Sequence, residues 1–156
     1  MSKGRLAILI ILLVLITDQV FKIWIKTTMM IGDEHHIFGN WFILHFTENN
    51  GMAFGFEFAG KAGKYFLSIF RIIAVTFIAI YISKIIKKDL PIGFIMAVSL
   101  IFAGALGNII DSLFYGIIFD HSYYQVASFL PETGGYGSFL QGRVVDMLYF
   151  PVIKGH

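Results

Sequence analysis

Two aspartates stand where a chain this apolar has least reason to put them. Asp146 sits in Gly142-Arg143-Val144-Val145-Asp146-Met147, after two β-branched residues and before an apolar run, while Asp111 closes a long hydrophobic stretch. Two carboxylates held close together cannot both ionise comfortably; they share a proton, and one serves as base while the other serves as acid. Such a pair activates water against a peptide carbonyl without metal or thiol. From the residues alone the available pair is Asp111 and Asp146, and the chemistry is that of a membrane-embedded aspartyl hydrolase. A non-catalytic binding or transport protein would also use buried Asp, Lys and Arg, and it stays open as the alternative.

Other reactive groups are few. The sequence has no Cys, which excludes disulfides, thiolate metal sites and a thiol nucleophile. Its histidines include the adjacent pair His35-His36, and no H-E-x-x-H spacing occurs, so neither metal nor cofactor is expected. No Gly-x-Ser-x-Gly elbow and no phosphate-cradling glycine loop is present. Ionisable groups inside apolar segments are expensive and mark functional sites by default. Asp18 and Lys22 are four residues apart, on one helix face and close enough to pair. Asn108 and Asp111 share a face at i and i+3. Arg71 lies about two turns inside its segment. Asp18, Lys22, Arg71 and Asp111 all fall at one depth, which points to a polar pocket just below one membrane surface. The blander reading is a salt-bridge network that orders the helices.

The elements that must position these groups follow from composition. The chain is 57% hydrophobic and 14% charged, with 17 Phe, and runs of about 20 apolar residues match a bilayer core. A formal charge of +2, without a basic stripe, gives no reason to expect nucleic acid. The reading is a single membrane domain over 1–156, mainly α, with spans at about 6–25, 65–86 and 92–110. The first run is a retained helix, because no small-x-small cleavage site follows it. Lys3 and Arg5, and the short turn with Lys84, Lys87 and Lys88, set those ends inside by the positive-inside tendency. Between the first two spans, alternation over Trp41–Thr47 and Phe54, Phe56 and Phe58, around Asn50-Gly51, predicts a small extracytoplasmic sheet at about 37–60. Residues 112–156 read as an extracytoplasmic loop, with a short helix or strand around Tyr123–Leu130. In the third span Ala103, Gly104 and Gly107 supply the small side chains that let helices approach closely.

Four motifs then carry a resemblance to the lipoprotein signal peptidases, the type II signal peptidases of bacteria, over essentially the whole chain. Asp18-Gln19-Val20-Phe21-Lys22 looks like D-Q-x-x-K, and Asn49-Asn50-Gly51-Met52-Ala53-Phe54 is similar to N-x-G-x-A-F. Gly104-Ala105-Leu106-Gly107-Asn108-Ile109-Ile110-Asp111 resembles G-A-x-G-N-x-x-D, and the stretch around Asp146 resembles G-x-V-V-D-[FM]. The resemblance implies a multi-pass protein of the bacterial cytoplasmic membrane with four helices and an aspartate dyad near the outer leaflet. It implies cleavage of the signal peptide from a lipid-modified prolipoprotein, just before the diacylglyceryl cysteine. It also re-pairs the carboxylates. Asp146 takes the catalytic role with a later F-N-x-A-D aspartate, while Asp18, Lys22, Asn49, Gly104, Asn108, Asp111 and Arg143 fall to substrate binding or the supporting polar shell. The implied partners are the prolipoprotein and membrane lipid, with the enzyme a monomer.

Three departures from the family pattern matter. Ser112 stands where the family usually has Arg, so Arg71 or Arg143 is the candidate replacement cation. The interval from Asp111 to Asp146 is longer than the family's short turn, which predicts an inserted lobe over the site. F-N-x-A-D and a fourth apolar run do not occur in these 156 residues, and the expectation is a fragment whose second aspartate lies beyond His156.

Overall fold

A computed structural model of the chain describes residues 1–49 and 60–151. Among them, three helices are long and apolar enough to cross a membrane, over Lys3–Thr28, Ala62–Ile85 and Ile92–Ile118. In chain order the elements are α1 (Lys3–Thr28), β1 (Glu34–Phe38), β2 (Phe42–Asn49), α2 (Gly60–Ile85), α3 (Ile92–Ile110) and β3 (Val144–Tyr149).

Helix α1 is built inside out relative to a soluble helix. Its buried residues are Ala7, Lys22, Ile25 and Lys26, whereas Leu12, Leu13, Ile16 and Val20 are exposed. Lipid is as apolar as Leu, so outward aliphatic side chains cost nothing there, and the polar groups turn inward to find partners. The helix outruns its apolar stretch at both ends. Ser2 caps the start by accepting the Arg5 N–H at 3.2 Å. The Thr27 and Thr28 hydroxyls donate to the carbonyls of Ile23 and Trp24 at the other end.

Helix α3 packs against both α1 and α2. At one end Ala7, Ile82, Ile85 and Ile95 form a buried cluster, and the Lys3 ammonium donates to the carbonyls of Lys88 and Leu90. The start of α1 therefore adjoins the α2–α3 turn, and the sheet lies at the opposite end. There the core is Ile25, Met29, Phe46, Tyr115, Phe119, Ala127 and Val145.

The third span continues past its expected end. After Ile110 the backbone widens into a π-helical turn over Asp111–Tyr115 and closes with one more turn, Gly116–Ile118. Asp111 is thus inside a continuous helical segment and not at an exit. Such widened turns are rare and concentrate at functional sites. The expected loop from 112 begins only at 119. Around Tyr123–Leu130 the chain is irregular apart from the single bridge Phe119↔Phe129. The segment then folds back along the helix end, with Tyr136 donating to Phe119, Gly137 to Gly116, Leu140 to Leu113 and Gly142 to Ser112.

Among the described residues the sheet has three antiparallel strands in the order β1-β2-β3. Its hairpin turns at Gly39–Trp41, where Gly39 has φ +55°, a left-handed conformation that suits glycine. The expected Asn50-Gly51 turn and the Phe54–Phe58 strand lie outside the described residues. The third strand comes instead from Val144–Tyr149, nearly 100 residues on, and it brings Asp146 to the sheet.

Candidate active site

The polar knot between α1 and α3 is centred on Lys22, which is 2% exposed. Steps of four residues along α1 put Asp18, Lys22 and Lys26 in one stripe. The Lys22 ammonium pairs with Asp18 at 3.0 Å and Asp111 at 2.8 Å, and donates to the Asn108 side-chain oxygen at 3.0 Å. Gln19 adds an N–H to Asp111 at 3.0 Å and accepts the Tyr115 hydroxyl at 2.8 Å. Gly107 makes the approach possible, because a Cβ there would overlap the Asp18 carboxylate. Gly104 does not share this duty. It is exposed, and a Cβ there would meet nothing within 4 Å, so it stands apart from the knot.

A second docking joins α3 to β3. Among the described residues β3 is an edge strand, and Asp111 accepts the N–H of Val145 at 3.1 Å. The Gly142 N–H donates to Ser112 at 2.9 Å. A Cβ on Gly142 would overlap the Asp111 carbonyl oxygen. The glycine that opens the Gly-x-Val-Val-Asp stretch is therefore required by backbone-to-backbone contact.

Asp146 itself lies on the other side of the strand from Val145, as alternation along a strand demands. It is paired with Thr47 in the register, on the exposed side of the sheet. Burial by its surroundings pushes the Asp146 carboxyl above the usual carboxylate range. Lys22, a hydrogen bond from Asn49 and the charge of Arg71 pull the other way without cancelling it. So the structure brings Asn49 and Arg71 to Asp146. Asp111 is not its mate: it is fully buried and committed to Lys22, Gln19 and the β3 backbone.

Arg143 pairs with Glu48 at 3.4 Å. Glu48 also pairs with the fully buried Lys26. Burial pushes the nearby Tyr136 hydroxyl up, well beyond its ordinary range, and it accepts the Arg143 N–H at 2.7 Å. Sequence reasoning missed Lys26, Glu48 and Tyr136. The available signal was Lys26 itself, one step of four beyond Lys22. Among the described residues no three His, Asp or Glu side chains are grouped to hold a metal ion.

The chain is similar to known proteins. The family model described as signal peptidase (SPase) II matches residues 10–156. The chain belongs to the signal peptidase II family. A lipoprotein signal peptidase of Porphyromonas gingivalis is 47% identical over 156 residues, covering 99% of this chain and 67% of that protein. A lipoprotein signal peptidase of Amoebophilus asiaticus is 39% identical over 149 residues, covering 94% of this chain and 59% of its own. The chain thus spans about two thirds or less of the length of these relatives. A bacterial membrane enzyme solved at 2.3 Å superposes with a TM-score of 0.62 at 30% identity, covering 95% of this chain and 71% of that one. A second, solved at 1.9 Å, gives 0.61 at 31% identity, covering 95% and 76%. Family membership makes this signal peptidase II chain a protease of bacterial membranes, and its three long apolar helices fit that setting.

Proposed function

We propose that this chain removes signal peptides from lipid-modified prolipoproteins as an aspartic endopeptidase, working as a monomer at the extracytoplasmic face of the inner membrane. Asp146 is the carboxylate within this chain that acts on the peptide bond. The observation that supports the role is its environment: an open sheet face at the end of the helix bundle, with a raised carboxyl next to Asn49 and Arg71. A raised pKa brings a carboxyl nearer to working pH, where giving and taking a proton are both accessible.

In this reading a water lies between Asp146 and a second carboxylate, which the resemblance assigns to F-N-x-A-D. One carboxylate takes the water's proton as the oxygen attacks the scissile carbonyl. The protonated partner donates to the carbonyl oxygen. As the tetrahedral intermediate collapses it takes that proton back, and the carboxylate that took the water's proton gives it to the leaving amine as the C–N bond breaks. The acyl chains of the substrate stay in lipid, so the bilayer helps to set the cysteine at the right depth. Asp18, Lys22, Asn108 and Asp111 hold the helices and the β3 backbone in place beneath the site. Asn49 orients Asp146.

The test is cleavage of a diacylglyceryl prolipoprotein by the protein at its full natural length. Asp146→Asn is expected to abolish cleavage while the protein still folds. An unchanged rate would overturn the assignment.

A further inference from the structure

The β2–β3 ladder is in two pieces. Near the hairpin, Ile43 pairs with Tyr149 and Leu44 with Leu148; farther on, Thr47 pairs with Asp146, Glu48 with Val145 and Asn49 with Val144. Between the pieces β2 carries one extra residue, so the two registers differ by one. A slip of one residue turns every side chain to the opposite face. The hairpin therefore does not by itself decide which face Asp146 takes, and something beyond the bulge must.

Glu48 sits in that second piece with its side chain 1% exposed, gripped from two sides. One carboxylate oxygen pairs with the Lys26 ammonium of α1, and the other with Arg143 at 3.4 Å, one residue before β3. Lys26 also donates to Ser122 at 3.2 Å. Its ammonium stands 5.9, 5.1 and 5.3 Å from the ring centres of Phe46, Phe119 and Tyr136. The Arg143 guanidinium lies 5.3 Å from the ring of Tyr123 and 5.1 Å from that of Tyr136. Two cations on one carboxylate inside an aromatic core are a poor source of net stability, because desolvation offsets the attraction. The best-attested use of such buried polar groups is to fix registry. The arrangement fits that use, since Glu48 and Asn49 are consecutive and point to opposite faces, as do Val145 and Asp146.

We propose that Lys26, Glu48 and Arg143 are positioning residues that clamp the second piece of the β2–β3 ladder in register, so that Asn49 and Asp146 meet on the site face. The proposal rests on the catalytic reading of Asp146. The clamp binds three parts of the chain at once: α1 through Lys26, β2 through Glu48 and the lead-in to β3 through Arg143. It also seats the lobe after α3, which supplies Ser122, Tyr123 and Tyr136.

The test again uses the full-length protein and a diacylglyceryl prolipoprotein, with thermal unfolding followed in parallel. Glu48→Gln is expected to lower kcat about 100-fold, as small misplacements of reacting groups do, with KM changed less than about twofold because the lipid-held substrate still binds. The double variant Lys26→Met with Glu48→Met removes both buried charges, and it is expected to recover thermal stability while kcat stays low. Recovery of kcat together with stability would show that the cluster only holds the fold, and would overturn the clamp. Asp146→Asn, run alongside, separates the two ideas. If it abolishes cleavage while Glu48→Gln cleaves normally, the clamp alone is wrong; if it cleaves normally, the catalytic reading and the clamp fall together.

Discussion

The Asp111 carboxylate accepts the backbone N–H of Val145 at 3.1 Å, 34 positions farther along the chain. The same carboxylate holds Lys22 at 2.8 Å, so one buried group joins α1, α3 and the strand that presents Asp146. Asp111→Asn keeps an oxygen for Val145 but leaves the Lys22 charge with Asp18 alone. Breaking a buried pair from one side costs about 3–5 kcal/mol, and the retained Asp18 contact places this variant at the lower end. Denaturant unfolding in detergent measures it. A loss under half a kcal/mol would mean that the pair adds nothing to the fold.

Two glycines of the family-like motifs should respond in opposite ways. Gly142→Ala drives a methyl into the Asp111 carbonyl oxygen, a backbone atom that cannot step aside. Overpacking of this kind costs about 1–3 kcal/mol or more, and here it also pushes β3 off its Asp111 cap. Gly104→Ala meets nothing within 4 Å and gains helix propensity of about 1 kcal/mol. Unfolding midpoints of the two variants, compared with the unsubstituted protein, decide the matter. Equal losses at both positions would contradict the packing described.

The contrast shows where the sequence was readable. Asp18 with Lys22, and Asn108 with Asp111, are helical neighbours, so spacing alone puts each pair on one face. That Lys22 reaches Asp111 is tertiary, and the common depth of these groups predicted only a shared polar pocket, not this pair. Strand β3 was hidden for a different reason. Val144 and Val145 favour strands, yet β2 lies almost 100 residues earlier, and local pattern does not report so distant a pairing. Glu48 and Lys26 look like ordinary solvated charges at the ends of apolar segments. Only the lobe folding back over Phe119 and Tyr136 makes them buried. The π-helical turn left no sequence signal either, since nothing in Asp111–Tyr115 bars an ordinary helix.

Asp146 should cost the folded state stability as the pH rises. Its folded pKa lies above the value expected in the unfolded chain. The protonated form is therefore the better-tolerated one, and its advantage is fully present below about pH 4, the ordinary range of an aspartate. It is lost as pH climbs through the raised folded pKa. Asp146→Asn stays neutral throughout. The variant should unfold like the unsubstituted protein near pH 3 and at a higher temperature near neutrality. A neutral-pH midpoint below that of the unsubstituted protein would show that the carboxylate supports the fold instead of straining it.

Asn49 gives the most direct handle on the same carboxyl. Its hydrogen bond favours the charged form of Asp146 and so holds the pKa below where burial alone would set it. Removing that bond in Asn49→Ala lets the pKa rise further. In a dyad the acid limb of the pH–rate profile reports the group that must be ionised. With Asp146 as the ionised member of the dyad, that limb of kcat/KM should move to higher pH, while the alkaline limb, set by the protonated partner, keeps its position. At a pH well above the acid limb the remaining loss measures orientation alone, because Asp146 is ionised in both proteins there. A uniform loss with no displacement of the limb would make Asn49 a positioning group only, and would leave the tuning of Asp146 to Lys22 and Arg71.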